Sequence, residues 1–168
     1  MNLERGLTYL AVLARVMPSA VQRRALRKAW RIEHALPRWF AERSLPELMQ
    51  QLDAAAAQPR TAVDAPMLVR IADAAVGLDY RSPLGLCLRR SLVRYVLLRS
   101  AGVPVIVQFG AKKQGSPHDI RIAGHAWLTL DGAPYAERPD DYRGFTAIYS
   151  YPPIHSLQSC AASPVSST

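Results

Sequence analysis

The sequence predicts an α+β fold, with an all-helical N-terminal region followed by a core in which a cysteine-bearing helix packs on a small antiparallel sheet. Three observations carry this expectation. Residues 1–78 show apolar positions at helical spacing and no strand-like alternation. Residues 103–137 reverse the pattern, with a β-branched, strand-like run at 103–110, a second strand at 119–130 and the hairpin signal Asp131-Gly132 after it. Joining the two halves is an apolar stretch from Cys87 to Ser100, closed by Gly102 as a left-handed stop and by Pro104.

The elements follow in order. Leu3, Leu7, Leu10, Val12, Leu13 and Val16 make the start apolar, but Arg15 interrupts the run and no small-x-small cleavage site follows. This reads as an amphipathic helix lying on the protein body or on a membrane surface, not as a signal peptide. Ser19 to Gln22 resembles a capping box and opens a basic helix ending near Ala35. Ser44 and Glu47, around Pro46, repeat that signal and open a helix through Ala54–Ala57, which Gln58, Pro59 and Arg60 end. Asp64 and Pro66 start another, with Leu68, Ile71, Ala72 and Ala75 on one face and Gly77 as its stop. Residues 80–86 form a loop, and Cys87 opens a helix expected to be buried nearly all round, ending at Ser100. Strands are expected at residues 103–110, 119–130 and 133–137, with a lysine-bearing loop at 111–117. A charged loop, a Tyr-rich segment at Tyr149 and Tyr151, and a disordered Ser/Ala tail complete the chain. The expected divisions are residues 1–66, a helical region; 67–153, the core; and 154–168, the tail.

Composition narrows the function. A chain of 168 residues and 18.6 kDa has room for about one domain and buries roughly 70% of its extended surface on folding. With 49% apolar and 20% charged residues it is neither collagen, coiled coil nor wholly disordered. No apolar run approaches the ~18–20 residues that cross a bilayer. The two cysteines, Cys87 and Cys160, form no disulfide framework, and no Cys-x-x-Cys or Cys/His cluster suggests zinc, so no metal or cofactor is expected. This cysteine usage points to a reducing, cytoplasmic compartment. The net charge of +8 is uneven: residues 1–45 hold nine Lys/Arg against three acids. Such a bias suits an acidic partner or a membrane surface, or is simply a solvated helix face. The basic residues lack interleaved aromatics at stacking spacing and no glycine-rich phosphate loop follows a strand, which argues against nucleic acid.

The order helix, strand, strand, strand, with a cysteine at the helix start, suits nucleophilic catalysis. A thiol attacks only as thiolate, and a helix start, with its unpaired N–H groups and partial positive charge, favours that form. An imidazole stabilises it further and later gives a proton to the leaving group. Cys87 is the candidate nucleophile and His125, mid-strand in Gly124-His125-Ala126-Trp127, the candidate base. Trp127 shares the face of His125, where it shields the ring and is assigned a contact with substrate. An acid should orient the imidazole. Glu137, placed by the hairpin opposite about residue 126, is preferred; Asp131 is the alternative, although Asp-Gly is favoured in that turn for conformational reasons. Singly, each residue has a bland explanation: a small buried thiol, a satisfied strand histidine, a turn aspartate. Their joint order carries the expectation. His34, His118, His155 and Cys160 have no such context.

These residues resemble a known family. Leu86-Cys87-Leu88-Arg89-Arg90-Ser91-Leu92, then Leu97 to Pro104, then Gly124-His125-Ala126-Trp127-Leu128 and Leu130-Asp131-Gly132 are similar to the transglutaminase-like cysteine protease of lasso-peptide biosynthesis, the B-protein leader peptidase, over about residues 68–138. The resemblance implies a papain/transglutaminase-like fold with a Cys-His-Asp/Glu triad, in which Cys87 is nucleophile, His125 base and Glu137 acid. It also implies removal of the leader from a ribosomally made leader–core precursor, before an asparagine-synthetase-like cyclase closes the macrolactam. Some members carry a fused leader-gripping domain with strands. Residues 1–78 lack a strand pattern, so a separate leader-recognition protein is expected as partner, and the basic helices of residues 19–43 are a candidate docking surface for it, for the cyclase or for a membrane.

Overall fold

The computed structural model describes residues 3–57, 61–79, 81–115 and 119–153. Two compact units divide the chain, Met1–Val105 and Ile106–Thr168. The first holds α1 (Leu3–Val16), α2 (Ala20–Glu42), α3 (Leu45–Ala57), α4 (Ala65–Leu78) and α5 (Leu86–Ser100). The second holds β1 (Ile106–Gln114), β2 (Arg121–Leu130), β3 (Ala133–Pro134), α6 (Pro139–Tyr142) and β4 (Thr146–Tyr151). The fold is α+β, with helices preceding a four-stranded antiparallel sheet of order β3-β2-β1-β4.

The helix starts obey their capping chemistry. Ser19 Oγ accepts the Gln22 N–H at 3.3 Å and Asp64 Oδ1 accepts the Met67 N–H at 2.8 Å, each satisfying a donor the helix leaves open. At α3 the Glu47 carboxylate takes both the Ser44 N–H (2.9 Å) and its hydroxyl (2.6 Å). The end of α5 is a Schellman motif: Gly102, at φ 83°, donates to Arg99 O at 2.9 Å, and Val103 donates to Leu98 O at 3.0 Å.

α2 runs past its expected end at Ala35, through Pro37 to Glu42. A proline inside a helix costs about 3 kcal/mol. Burial of Ile32, Glu33 and Leu36 before it, with Trp39 and Phe40 half-buried after it, offsets that cost. Gly77 is not a stop either; it lies inside α4, where a Cβ would collide with the ring of Tyr9 on α1. Its role is close helix approach. α1 packs on α4, with Tyr9 against Gly77, but leaves Leu7 and Leu10 more than half exposed.

α4 packs on α1, α2 and α5, and α5 packs also on α2 and α3. The division of the chain falls after Val105, and α4 and α5 pack with α1–α3 in one unit. As expected, α5 is buried nearly all round, from Arg89 and Ser91 through Leu98. Its arginines sit inside because neighbouring helices supply acids: Arg94 meets Asp73 in two 2.8 Å bonds, and Arg89 meets the fully buried Glu33. The Tyr95 hydroxyl donates to Asp53 at 2.8 Å.

In the second unit, β1 starts at Ile106 and runs to Gln114, not from 103 to 110. Its ladder with β2 continues from Ile106↔Thr129 to Gln114↔Arg121, drawing the expected lysine loop into the sheet. β3 pairs over two residues only, Ala133 and Pro134, because Ala136 takes a left-handed φ of 56° and turns the chain away before Glu137. The Tyr-rich segment is a fourth strand, β4, antiparallel to β1, and a short helix, α6, occupies the charged loop. The expected tail lies outside the described residues, as do His118, His155 and Cys160.

Candidate active site

Cys87 occupies the first turn of α5 and is a free, half-exposed thiol. The first N–H that α5 takes up internally is that of Arg89, which donates to Gly85 O at 3.2 Å. The N–H groups of Leu86, Cys87 and Leu88 precede it and point out of the helix end. Gly85 is the N-cap and offers no side-chain cap. A Cβ there would stand 4.0 Å from Cys87 Sγ, so glycine leaves both the sulfur and the open N–H groups uncovered. Burial rises steeply across this turn, from exposed Gly85 and Leu86 to half-buried Cys87 and Leu88 and buried Arg89. The Arg89–Glu33 pair and the donation from Arg89 to Asp79 O at 2.9 Å fasten the turn to α2 and to the end of α4.

Burial pushes the Glu33 carboxyl above the usual carboxylate range, outweighing the downward pull of the Arg89 hydrogen bond and charge. Among the described residues its Oε2 has no hydrogen-bond partner.

His125 lies on β2 opposite Gly110 of β1. It is stacked beside Trp127, centroids 5.9 Å apart at 15°, and tilted against Phe145 at 5.0 Å. These three rings share one face of the sheet with Gln108, whose Nε2 reaches Thr129 Oγ1 at 3.5 Å. Lys112 Nζ stands 4.4 Å from the Phe145 ring centre, a cation held over an aromatic face. A Cβ on Gly110 would come within 2.7 Å of the Trp127 ring and 2.8 Å of Thr146 O, so glycine is what lets the indole lie flat beside His125. Burial along β2 also changes at this point: Arg121 and Ile122 are exposed, His125 is half-buried, and Ala126 to Thr129 are buried.

Trp127, expected to touch substrate, is only 7% exposed. Its indole packs against His125 and the Gly110 backbone. Asp131 adopts φ 51° and Gly132 φ 81°, the paired positive angles of a tight hairpin turn, and Asp131 is exposed. Six extended residues separate it from His125, about 20 Å along the strand. Glu137 is half-buried; the Tyr135 N–H donates to Leu128 O at 2.9 Å, and the left-handed Ala136 then takes the chain off that ladder before Glu137. His34 is exposed on α2 and stacks on Trp30 at 4.7 Å.

Sequence reasoning missed Phe145, Gly110, Gly85 and the Glu33–Arg89 pair. Glycine beside a nucleophile or within a strand is a signal of close approach; nothing in the sequence marks Phe145 or Glu33. Among the described residues no group of three or more His, Cys, Asp or Glu could hold a metal ion, and no helix is long and apolar enough to cross a membrane.

No curated protein and no solved structure matches the chain. A family model does, over residues 32–150, from the middle of α2 to the end of the sheet, a span that takes in Cys87, His125, Trp127 and Glu137. That span covers most of the sequence and includes the α+β succession described above, in a fold of the cysteine-protease or acyltransferase type; the chain belongs to the Transglutaminase-like superfamily.

Proposed function

We propose that the protein is a cysteine peptidase that removes the leader from a lasso-peptide precursor. Cys87 attacks the carbonyl at the leader–core junction and forms a thioester, and water then hydrolyses it. His125 takes the thiol proton and returns it to the leaving amine, with Glu137 orienting the ring. Asp131 is the weaker choice of acid, since its exposed hairpin position and extended separation from His125 suit a turn residue. The N–H of Cys87 is one donor to the oxyanion that develops on the attacked carbonyl.

The observation that carries this reading is the accessible thiol at an uncapped helix N-terminus, in a chain of this superfamily. The stacking of His125 with Trp127 and Phe145 supports it, because rings flanking an imidazole limit the water that competes for its proton. The sequence likeness of the segments around Cys87 and His125 to the leader peptidases supplies the substrate class. A separate leader-recognition protein delivers the precursor, and an asparagine-synthetase-like cyclase acts on the released core.

The test is cleavage of a leader–core precursor peptide of the lasso class by the purified chain. Cys87→Ala should lower the cleavage rate by a factor on the order of a thousand or more while circular dichroism stays unchanged. Unimpaired cleavage by Cys87→Ala would remove the mechanism. Mass spectrometry of the products separates hydrolysis from transfer of the acyl group to an amine, the other chemistry of this fold.

A further inference from the structure

Away from Cys87, the helical unit holds a groove of about 660 Å³ formed by α2, α3 and α5. One wall carries Arg24, Arg27, Lys28 and Arg31, and the floor is apolar, with Ala25, Ile32 and Leu97. Among the described residues no acidic side chain lines it. Arg38, Arg43, Arg89, Arg90, Arg94 and Arg99 each meet an acid away from this groove. Among the described residues Arg24, Arg27 and Arg31 meet no acid, although all three are exposed. Lys28 is half-buried, with Nζ 2.6 Å from Ser100 Oγ, and burial holds its ammonium below the usual lysine range.

We propose that this groove binds an acidic, leucine-bearing segment of a partner polypeptide. The four cations fall at i, i+3, i+4 and i+7, so they spread over about 10 Å along α2. That spacing matches carboxylates on successive turns of a peptide, whereas a single phosphate calls for cations converging on one point. The floor residues Ala25, Ile32 and Leu97 are at most 5% exposed and lie below the arginines. A flat bilayer surface does not reach such a floor, but apolar side chains of a peptide do. Negative charge on the peptide complements Lys28 and the arginines, and charge-assisted bonds to the arginines set orientation. This inference goes beyond the peptidase reading, because nothing in it requires the thiol.

The experiment uses full-length Cys87→Ala protein and a fluorescein-labelled peptide repeating Leu-Glu-Glu-Leu, read by fluorescence anisotropy. Saturable binding that weakens with salt is expected, together with no binding of the Leu-Gln-Gln-Leu twin. The Arg24→Glu/Arg27→Glu/Arg31→Glu variant should bind about tenfold or more weakly, and the matching Lys variant should keep most of the affinity. If the Glu variant does not fold, Arg24→Gln/Arg31→Gln takes its place. Equal binding of both peptides, or undiminished binding by the charge-reversed chain, overturns the proposal. So does capture by phosphatidylglycerol vesicles through the same arginines without peptide binding, which would assign the groove to a membrane. Precursor cleavage by the wild-type chain is scored separately, so either reading can fail alone.

Discussion

The two units place their chemical groups by different means. In the helical unit, α5 is enclosed by α2, α3 and α4 and tied to each through a charged or hydroxyl group: Arg89 to Glu33, Tyr95 to Asp53, Arg94 to Asp73. Cys87 sits where that enclosure opens to solvent. In the sheet unit, β2 is buried only along Ala126–Leu128 and its neighbour Thr129, while Ile122 is 75% exposed. His125 sits at the same kind of seam but is flanked by rings and a glycine instead of ion pairs. Each group is therefore held at the edge of a buried region. Their supports differ in cost of failure: a buried charge left alone is severe, whereas a displaced ring is moderate.

That contrast can be broken most forcefully at Arg89. Arg89→Met leaves Glu33 buried without its cation and should destabilise the chain by about 3–5 kcal/mol in urea unfolding. Arg89→Met/Glu33→Leu should recover much of that loss, since both charges are gone. An Arg89→Met chain as stable as wild type would mean that packing alone holds the first turn of α5.

A smaller effect is expected in the sheet. Gly110→Ala pushes a methyl into the Trp127 ring and should cost about 1–3 kcal/mol. Near-ultraviolet circular dichroism should show the indole displaced, and precursor cleavage should fall further than the stability loss explains. An unchanged spectrum would show that His125 does not depend on that contact.

The smallest effect is in pH. Folded Glu33 holds its proton above the ordinary 4.5, so the folded chain binds more protons than the unfolded chain just above that pH. Its contribution is fully present below 4.5 and is lost as pH rises through the folded value. Urea midpoints taken across that interval should decline for wild type relative to Glu33→Gln; parallel profiles would place the Glu33 carboxyl in the ordinary range.

What the sequence made legible follows the range of the interactions. Caps and stops are local, so Ser19, Asp64 and Gly102 could be read directly, and so could the positive angles at Asp131-Gly132. Elements set by distant partners could not. Pro37 reads as a helix end until the burial of Leu36 is known, and Gly77 reads as a stop until Tyr9 is found against it. β4 needs β1 as its partner, and β3 ends early because of one backbone angle at Ala136. At the candidate site, the thiol at a helix start and the histidine beside Trp127 were legible from periodicity. Phe145 and Glu33, which hold the histidine and the cysteine turn from elsewhere in the chain, left no local trace.

The proposed pairing of Cys87 with His125 is tested most directly without any substrate, by iodoacetamide labelling at neutral pH resolved by peptide mass spectrometry. The second thiol of the chain, Cys160, serves as the internal reference. Cys87 should label faster than Cys160 in wild type, and His125→Ala should slow Cys87 about tenfold or more while leaving Cys160 unchanged. Equal labelling of the two thiols, or a Cys87 rate indifferent to His125→Ala, would contradict it.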